Sequence, residues 1–142
     1  MVTVMSETFA WVFPGGRLQR EIQDVTVTDN TTKTVYVTVP AGKLWLLLGV
    51  RMVNPDDVAR ALSLQVRDSD DNLICVLATK NTSSNQALQW PNTASADNEK
   101  RNPTFQLLKG GDKLRCNWPA GGASSGGTAS PGLIVEYLEL EQ

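Results

Sequence analysis

The sequence predicts an all-β protein, a jelly-roll-like antiparallel β-sandwich of about eight strands. Three observations carry that prediction. Short runs rich in Val, Thr, Leu and Ile alternate apolar with polar residues, the period of a half-buried strand. Clusters of Gly, Pro, Asn and Asp separate these runs at intervals of roughly 8–12 residues, the spacing of sandwiches and barrels. No convincing helical run competes with them; the only candidate, residues 55–64, is short. A smaller Greek-key barrel is the other architecture this pattern allows, and the long connections favour the jelly roll.

The elements follow in order. Residues 1–23 read as an N-terminal arm or a first strand: Phe9, Trp11 and Phe13 alternate with Thr8, Ala10 and Val12 before Pro14-Gly15-Gly16. Residues 24–142 read as a single β-sandwich domain. Residues 24–28 and 33–39 alternate strictly and flank the polar cluster Asp29-Asn30-Thr31-Thr32, which suggests a hairpin. Pro40-Ala41-Gly42-Lys43 then breaks the chain. Residues 44–53 form the most apolar run and are expected to be buried on both faces near the middle. After Asn54-Pro55-Asp56-Asp57, residues 61–68 and 73–78 suggest a second hairpin around the acidic turn Asp68 to Asn72.

Residues 79–103 are rich in Asn, Ser, Thr and Ala and read as a long excursion with one short strand near Leu88 and Trp90. Residues 104–108 are strand-like. Lys109-Gly110-Gly111-Asp112 is a turn, and residues 113–118 alternate with Leu114, Cys116 and Trp118 on one face. A Gly/Ser-rich loop at 120–128 precedes a last strand at 133–140, in which Leu133, Val135 and Tyr137 oppose Ile134, Glu136 and Leu138.

Composition bounds the function. The 142 residues make one domain, large enough to bury roughly 70% of its unfolded surface without a metal or disulfide. Thirteen basic and 15 acidic residues are well mixed, so no nucleic-acid-binding face is implied. No apolar run approaches the ~18 residues of a bilayer span, so no membrane is implied. No basic segment followed by an apolar one opens the chain, so synthesis in a cytoplasm is expected. Cys75 and Cys116 lie in apolar strand-like runs and are expected to be reduced, buried hydrophobes, with a cross-strand disulfide left open.

The chain has no histidine. That removes Ser-His-Asp and Cys-His nucleophilic pairs, the commonest general base, and most zinc and non-haem iron sites. No phosphate-cradling glycine motif is present. The turn Asp68, Asp70, Asp71, Asn72 resembles half of a calcium loop. It has Leu73 where such a loop needs glycine and Thr79 where it needs glutamate, so an acidic hairpin turn is the plainer reading. No catalytic, cofactor or metal site is expected, and the chain is not expected to be an enzyme.

Aromatic residues are the remaining candidates. Of four tryptophans, Trp45 belongs to the most apolar run and is expected in the core. Trp90 and Trp118 each precede a proline near loop-like sequence, where an exposed indole could stack on a sugar ring or anchor a protein interface. Capping the core is the structural alternative for each. With Phe9, Trp11 and Phe13 they make up the candidate interface.

Three turn motifs point to a family. Residues 39–47 read Val-Pro-Ala-Gly-Lys-Leu-Trp-Leu-Leu, residues 107–114 read Leu-Leu-Lys-Gly-Gly-Asp-Lys-Leu, and residues 118–122 read Trp-Pro-Ala-Gly-Gly. Over residues 33–140 this succession resembles the capsid decoration (cement, or auxiliary) proteins of tailed bacteriophages. The resemblance implies a jelly-roll fold, a homotrimer, the major capsid protein as partner, and a place on the capsid surface after synthesis in the host cytoplasm. A trimer would expose an apolar strip on the protomer, either Phe9, Trp11 and Phe13 or the face of Leu133, Val135 and Tyr137. Two other readings compete: a carbohydrate- or receptor-binding module of a phage tail fibre or surface protein, motivated by Trp90 and Trp118, and an enzyme on a jelly-roll scaffold such as a cupin, which would ordinarily need the missing histidines.

Overall fold

Alternating side chains build two antiparallel sheets that stack through their apolar faces. The computed structural model describes residues 15–91 and 106–141. Among these lie nine strands and no helix: β1 (Arg17–Val27), β2 (Lys33–Thr38), β3 (Lys43–Val53), β4 (Arg60–Arg67), β5 (Leu73–Thr82), β6 (Ala87–Trp90), β7 (Gln106–Lys109), β8 (Lys113–Trp118) and β9 (Gly127–Glu141). One sheet has the order β1-β9-β3-β6, with β7 also on β3; the other has the order β2-β8-β4-β5.

β6 and β7 occupy one position in the sheet. β6 pairs with residues 50–53 of β3 and β7 with residues 44–47, so the two run in line along the same edge. Counting them as one interrupted strand leaves eight positions, ordered 1-8-3-6 and 2-7-4-5. This is the strand order of a jelly roll, in which successive strands change sheet except at the β4–β5 hairpin.

That alternation corrects one expectation. Residues 24–28 and 33–39 do not pair as a hairpin: β1 pairs with β9, and β2 pairs with β8 in the other sheet. The cluster Asp29 to Thr32 carries the chain across the sandwich. The hairpin expected around Asp68 to Asn72 is present as β4–β5, its turn held by Asp68, whose Oδ1 accepts from the Asp70 and Asn72 amides at 2.9 and 2.8 Å. Residues 55–64 are not helical, since β4 begins at Arg60. β1 spans residue 23, the expected boundary of the arm, with a bulge between Gln23 and Val25 in its pairing with β9.

The core lies between the sheets. β3 contributes Trp45, Leu47, Val50 and Met52, facing Leu62, Leu64 and Val66 of β4 and Leu114, Cys116 and Trp118 of β8. Two consecutive inward steps, Leu47 and then Val50, are reconciled by a bulge at Leu48. Each fully buried aliphatic side chain contributes about 1.5–3 kcal/mol. Trp45 stacks on Tyr137 of β9, with centroids 3.6 Å apart and planes at 17°, and its Nε1 donates to Glu139 Oε2 at 2.9 Å.

Candidate interaction surface

The strand order divides the loops between two ends. At one end the turn at residues 39–42 meets the turn at 110–112. The Val39 amide donates to the Asp112 carbonyl and the Gly111 amide to the Val39 carbonyl, each at 2.9 Å. Gly110 lies so close that a Cβ there would sit 2.9 Å from the Pro40 carbonyl oxygen. Asp112 Oδ2 accepts from the Lys109 amide at 3.0 Å and closes the turn.

At the other end Arg60 ties the loops together. Its guanidinium pairs with Asp56 and donates to the carbonyls of Thr28, Thr31 and Pro119 at 3.0, 2.6 and 3.1 Å. Thr82 Oγ1 donates to the Arg60 carbonyl, and Asn54 Nδ2 reaches the carbonyls of Val58 and Thr82. Burial pushes the Asp56 carboxyl up, but hydrogen bonds from Arg60, Asp57 and Ser124 outweigh it and bring the pKa to about 2. The Gly/Ser loop is held through Ser124 N to Asp29 and through Ser125 N and Oγ to Asp57.

The predicted interface residues fall differently. Phe9, Trp11 and Phe13 lie outside the described residues. Trp90 and Trp118 are corrected: both indoles are buried in the core cluster, so neither presents a face to a partner or a sugar. The physical reason is register. Trp118 is the last inward residue of β8, with Nε1 donating to the Val53 carbonyl at 2.8 Å, and Trp90 stands opposite inward Val50. Pro91 and Pro119 each follow directly on the last residue of a strand. The face of Leu133, Val135 and Tyr137 is likewise the inner face of β9.

What remains outward differs between the sheets. Across β2, β8 and β4 the outer face of the four-stranded sheet is polar, while the edge strand β5 sets Val76 beside Gln65 and Leu73 beside Arg67, with Leu73 and Ile74 51% and 50% exposed. The polar rows read Tyr36–Arg115–Gln65, Thr34–Asn117–Ser63 and Thr38–Lys113–Arg67, with Lys113 Nζ 4.9 Å from the Tyr36 ring centroid. On the five-stranded sheet Leu18, Leu138, Leu46 and Leu107 stand in register across β1, β9, β3 and β7, a row of leucines on the side away from the core. Leu44 and Leu140 pair on one side of this row, and Ile22 and Ile134 pair beyond a row containing Arg20 and Glu136. An open groove of about 280 Å³ adjoins it, lined by Arg20, Gly49, Arg51, Gln89, Ile134 and Glu136 among others. Arg20 and Glu136, both in its lining, pair at 2.8 Å.

Chemistry is sparse. Among the described residues no group of three or more Asp, Glu, Cys or His could hold a metal. Cys75 and Cys116 are not bonded to each other. Burial, with Glu21 adding to it, pushes the Cys116 thiol up to about 12, so it is protonated and inert at neutral pH. The sequence signal for the leucine row was present in Leu18, Leu46, Leu107 and Leu138, but it required the register of four strands to be read.

Fold and surface together define a jelly-roll β-sandwich with a row of leucines on the outer face of its five-stranded sheet. No family model and no curated protein matches the chain. Among solved structures it is similar to a chain in the structure of infectious bursal disease virus, Gx strain, at 9% identity and a TM-score of 0.43. The match covers 91% of this chain and 33% of that one, so this chain spans about a third of the length of its neighbour.

Proposed function

We propose that the chain is a structural protein of a virus particle, a capsid decoration protein that binds the outside of a tailed-phage capsid and ties neighbouring major capsid subunits together. One observation carries this reading: the turn motifs that bear the family resemblance are parts of one jelly-roll frame. The turns at 39–42 and 110–112 are hydrogen-bonded to each other, and Gly121 of the third motif packs against Ala59 and Arg60, where a Cβ would sit 2.6 Å from the Ala59 carbonyl oxygen. The chain has no histidine with which to run the commonest acid–base chemistry, which fits a part that acts by contact.

In this reading the chain works as a homotrimer on the capsid surface, gaining avidity from many equivalent weak contacts. The trimer hides sheet edges against neighbouring copies. The glycan- or receptor-binding alternative loses its motive, because Trp90 and Trp118 offer no exposed platform. Incubation of the purified chain with expanded, undecorated capsids tests the proposal. Saturable binding with a rise in capsid melting temperature is expected; no binding and no gain in capsid stability overturns it.

A further inference from the structure

Two aliphatic pairs reach solvent on different sheets, one beside an unpaired acid and the other beside an unpaired base. The first lies at the tip of the β4–β5 hairpin, where Leu73 and Ile74 are half exposed. Asp70, in the turn before them, is exposed, and its carboxylate belongs to no ion pair among the described residues. The tip is held in one shape: Asp68 Oδ1 accepts from the Asp70 and Asn72 amides, and Arg67 Nη1 donates to the Asp71 carbonyl at 2.8 Å. The second pair lies on the outer face of the five-stranded sheet. Ile22, 55% exposed, stands opposite Ile134, which in turn stands opposite Arg51. Arg51 is exposed and also in no ion pair among the described residues, unlike Arg20, which Glu136 engages. Ile134 and Arg51 line the open groove of about 280 Å³, where Gly49 sets no side chain beside Glu136.

We propose that these surfaces are the two halves of one contact between copies of this chain. The hairpin tip of one copy seats Leu73 and Ile74 against Ile22 and Ile134 of the next, and brings Asp70 to Arg51 at the groove. The halves complement each other in both respects, apolar against apolar and acid against base, and the same chain carries both. The groove falls just short of the roughly 300–1,000 Å³ of small-molecule pockets and is open along the sheet, which suits side chains of a partner. A tip already held by its own hydrogen bonds loses little freedom on docking. The contact also takes the exposed start of the edge strand β5 out of water. Because the halves lie on different sheets, the contact is head-to-tail: each copy offers its tip to one neighbour and its groove to the other. Such contacts close into rings when the rotation allows. The exposed Asp70–Arg51 pair sets register and excludes wrong pairings more than it adds affinity. This inference deepens the homotrimer reading and rests on it, but it needs no capsid.

Sedimentation of the full chain across a wide range of concentration, without capsids, tests it. The wild type should form a trimer that dissociates on dilution. Arg51→Asp and Asp70→Arg each set like charges against each other and should weaken association by at least about tenfold. The double variant Arg51→Asp/Asp70→Arg restores opposite charges and should recover it, which also shows that both substitutions leave the fold intact. Gly49→Leu fills the groove from a position where a Cβ has room, and should abolish association without the use of charge. A trimer indifferent to the single charge variants overturns the inference and leaves the homotrimer standing. So do single variants that the double does not rescue, and so does full association of Gly49→Leu. A wild-type chain that stays monomeric, or stops at a dimer, overturns the inference together with the homotrimer.

Discussion

Arg60 and Asp56 form an ion pair closed off from water, with Nε and Nη2 of the arginine each 2.7 Å from Oδ2 of the aspartate. A buried pair of this kind is often replaceable by apolar residues without loss, because desolvation offsets the attraction. Here the guanidinium also satisfies the carbonyls of Thr28, Thr31 and Pro119, which no apolar side chain can do. Asp56→Asn leaves a buried cation without a counter-ion and should cost about 3–5 kcal/mol. Arg60→Met should cost at least as much, and the double variant should be about as unstable as Arg60→Met alone, since both changes act on one network. Urea unfolding midpoints read this directly; either single variant within 1 kcal/mol of wild type would contradict it.

The same pair sets the acid limit of the fold. The Asp56 carboxyl has a pKa of about 2 in the folded chain against 3.8 for the unperturbed group. A depressed carboxylate stabilises the fold fully above the unfolded value and loses that contribution as pH falls through the folded one. Stability should therefore hold down to about pH 4 and fall between pH 4 and pH 2. Asp68, held low chiefly by the Asn72 backbone amide, acts in the same direction. Denaturant titrations at successive pH values should show a shallower fall for Asp56→Asn; equal slopes for the two proteins in that window would remove Asp56 as the cause.

Most of the strands were legible in the sequence because period-two alternation and Gly/Pro punctuation survive any packing arrangement. Their partners were not. Asp29 to Thr32 reads alike whether it closes a hairpin or carries the chain to the opposite sheet, and here it does the latter. In β9 the set Leu133, Val135, Tyr137 opposes Ile134, Glu136, Leu138, and the stack of Tyr137 on Trp45 with the burial of Leu133 and Val135 places the first set inward. Trp90 and Trp118 looked loop-like because prolines follow them, although register places both rings in the core. Arg60 gave no signal at all, since its burial depends on carbonyls from two distant loops.

The meeting of the two turns that bear the family resemblance predicts a contrast between glycines. A Cβ on Gly110 would lie 2.9 Å from the Pro40 carbonyl oxygen and 3.1 Å from the Gly42 amide, both backbone atoms that cannot swing aside. Gly110→Ala should therefore cost about 1–3 kcal/mol by overpacking. A Cβ on Gly49 meets its nearest atom, the Trp90 carbonyl oxygen, at 3.6 Å, an ordinary contact, and its backbone is not left-handed. Gly49→Ala should be neutral or stabilising by up to about 1 kcal/mol, through the reduced freedom of the unfolded chain. Thermal melts of the two variants side by side check the ordering, and a Gly110→Ala variant as stable as Gly49→Ala would refute it.

The two thiols should separate in the same way under a chemical probe. Cys116 is fully buried on β8 between Val35 of β2 and Leu64 of β4, and burial holds its pKa at about 12. Disulfide exchange requires the thiolate and access to it, so Cys116 can react only when the sandwich opens. Cys75 lies on the edge strand β5 with part of its surface in water. An aromatic disulfide reagent should titrate one thiol quickly in the native chain and the second at the rate of global opening, with both reacting at once in denaturant. Cys75→Ser should abolish the fast phase and leave the slow one. Asp56→Asn should accelerate the slow phase in proportion to the stability it removes, because opening then becomes more frequent. Two fast thiols in the native wild-type chain would show that β8 is not sealed between its neighbours.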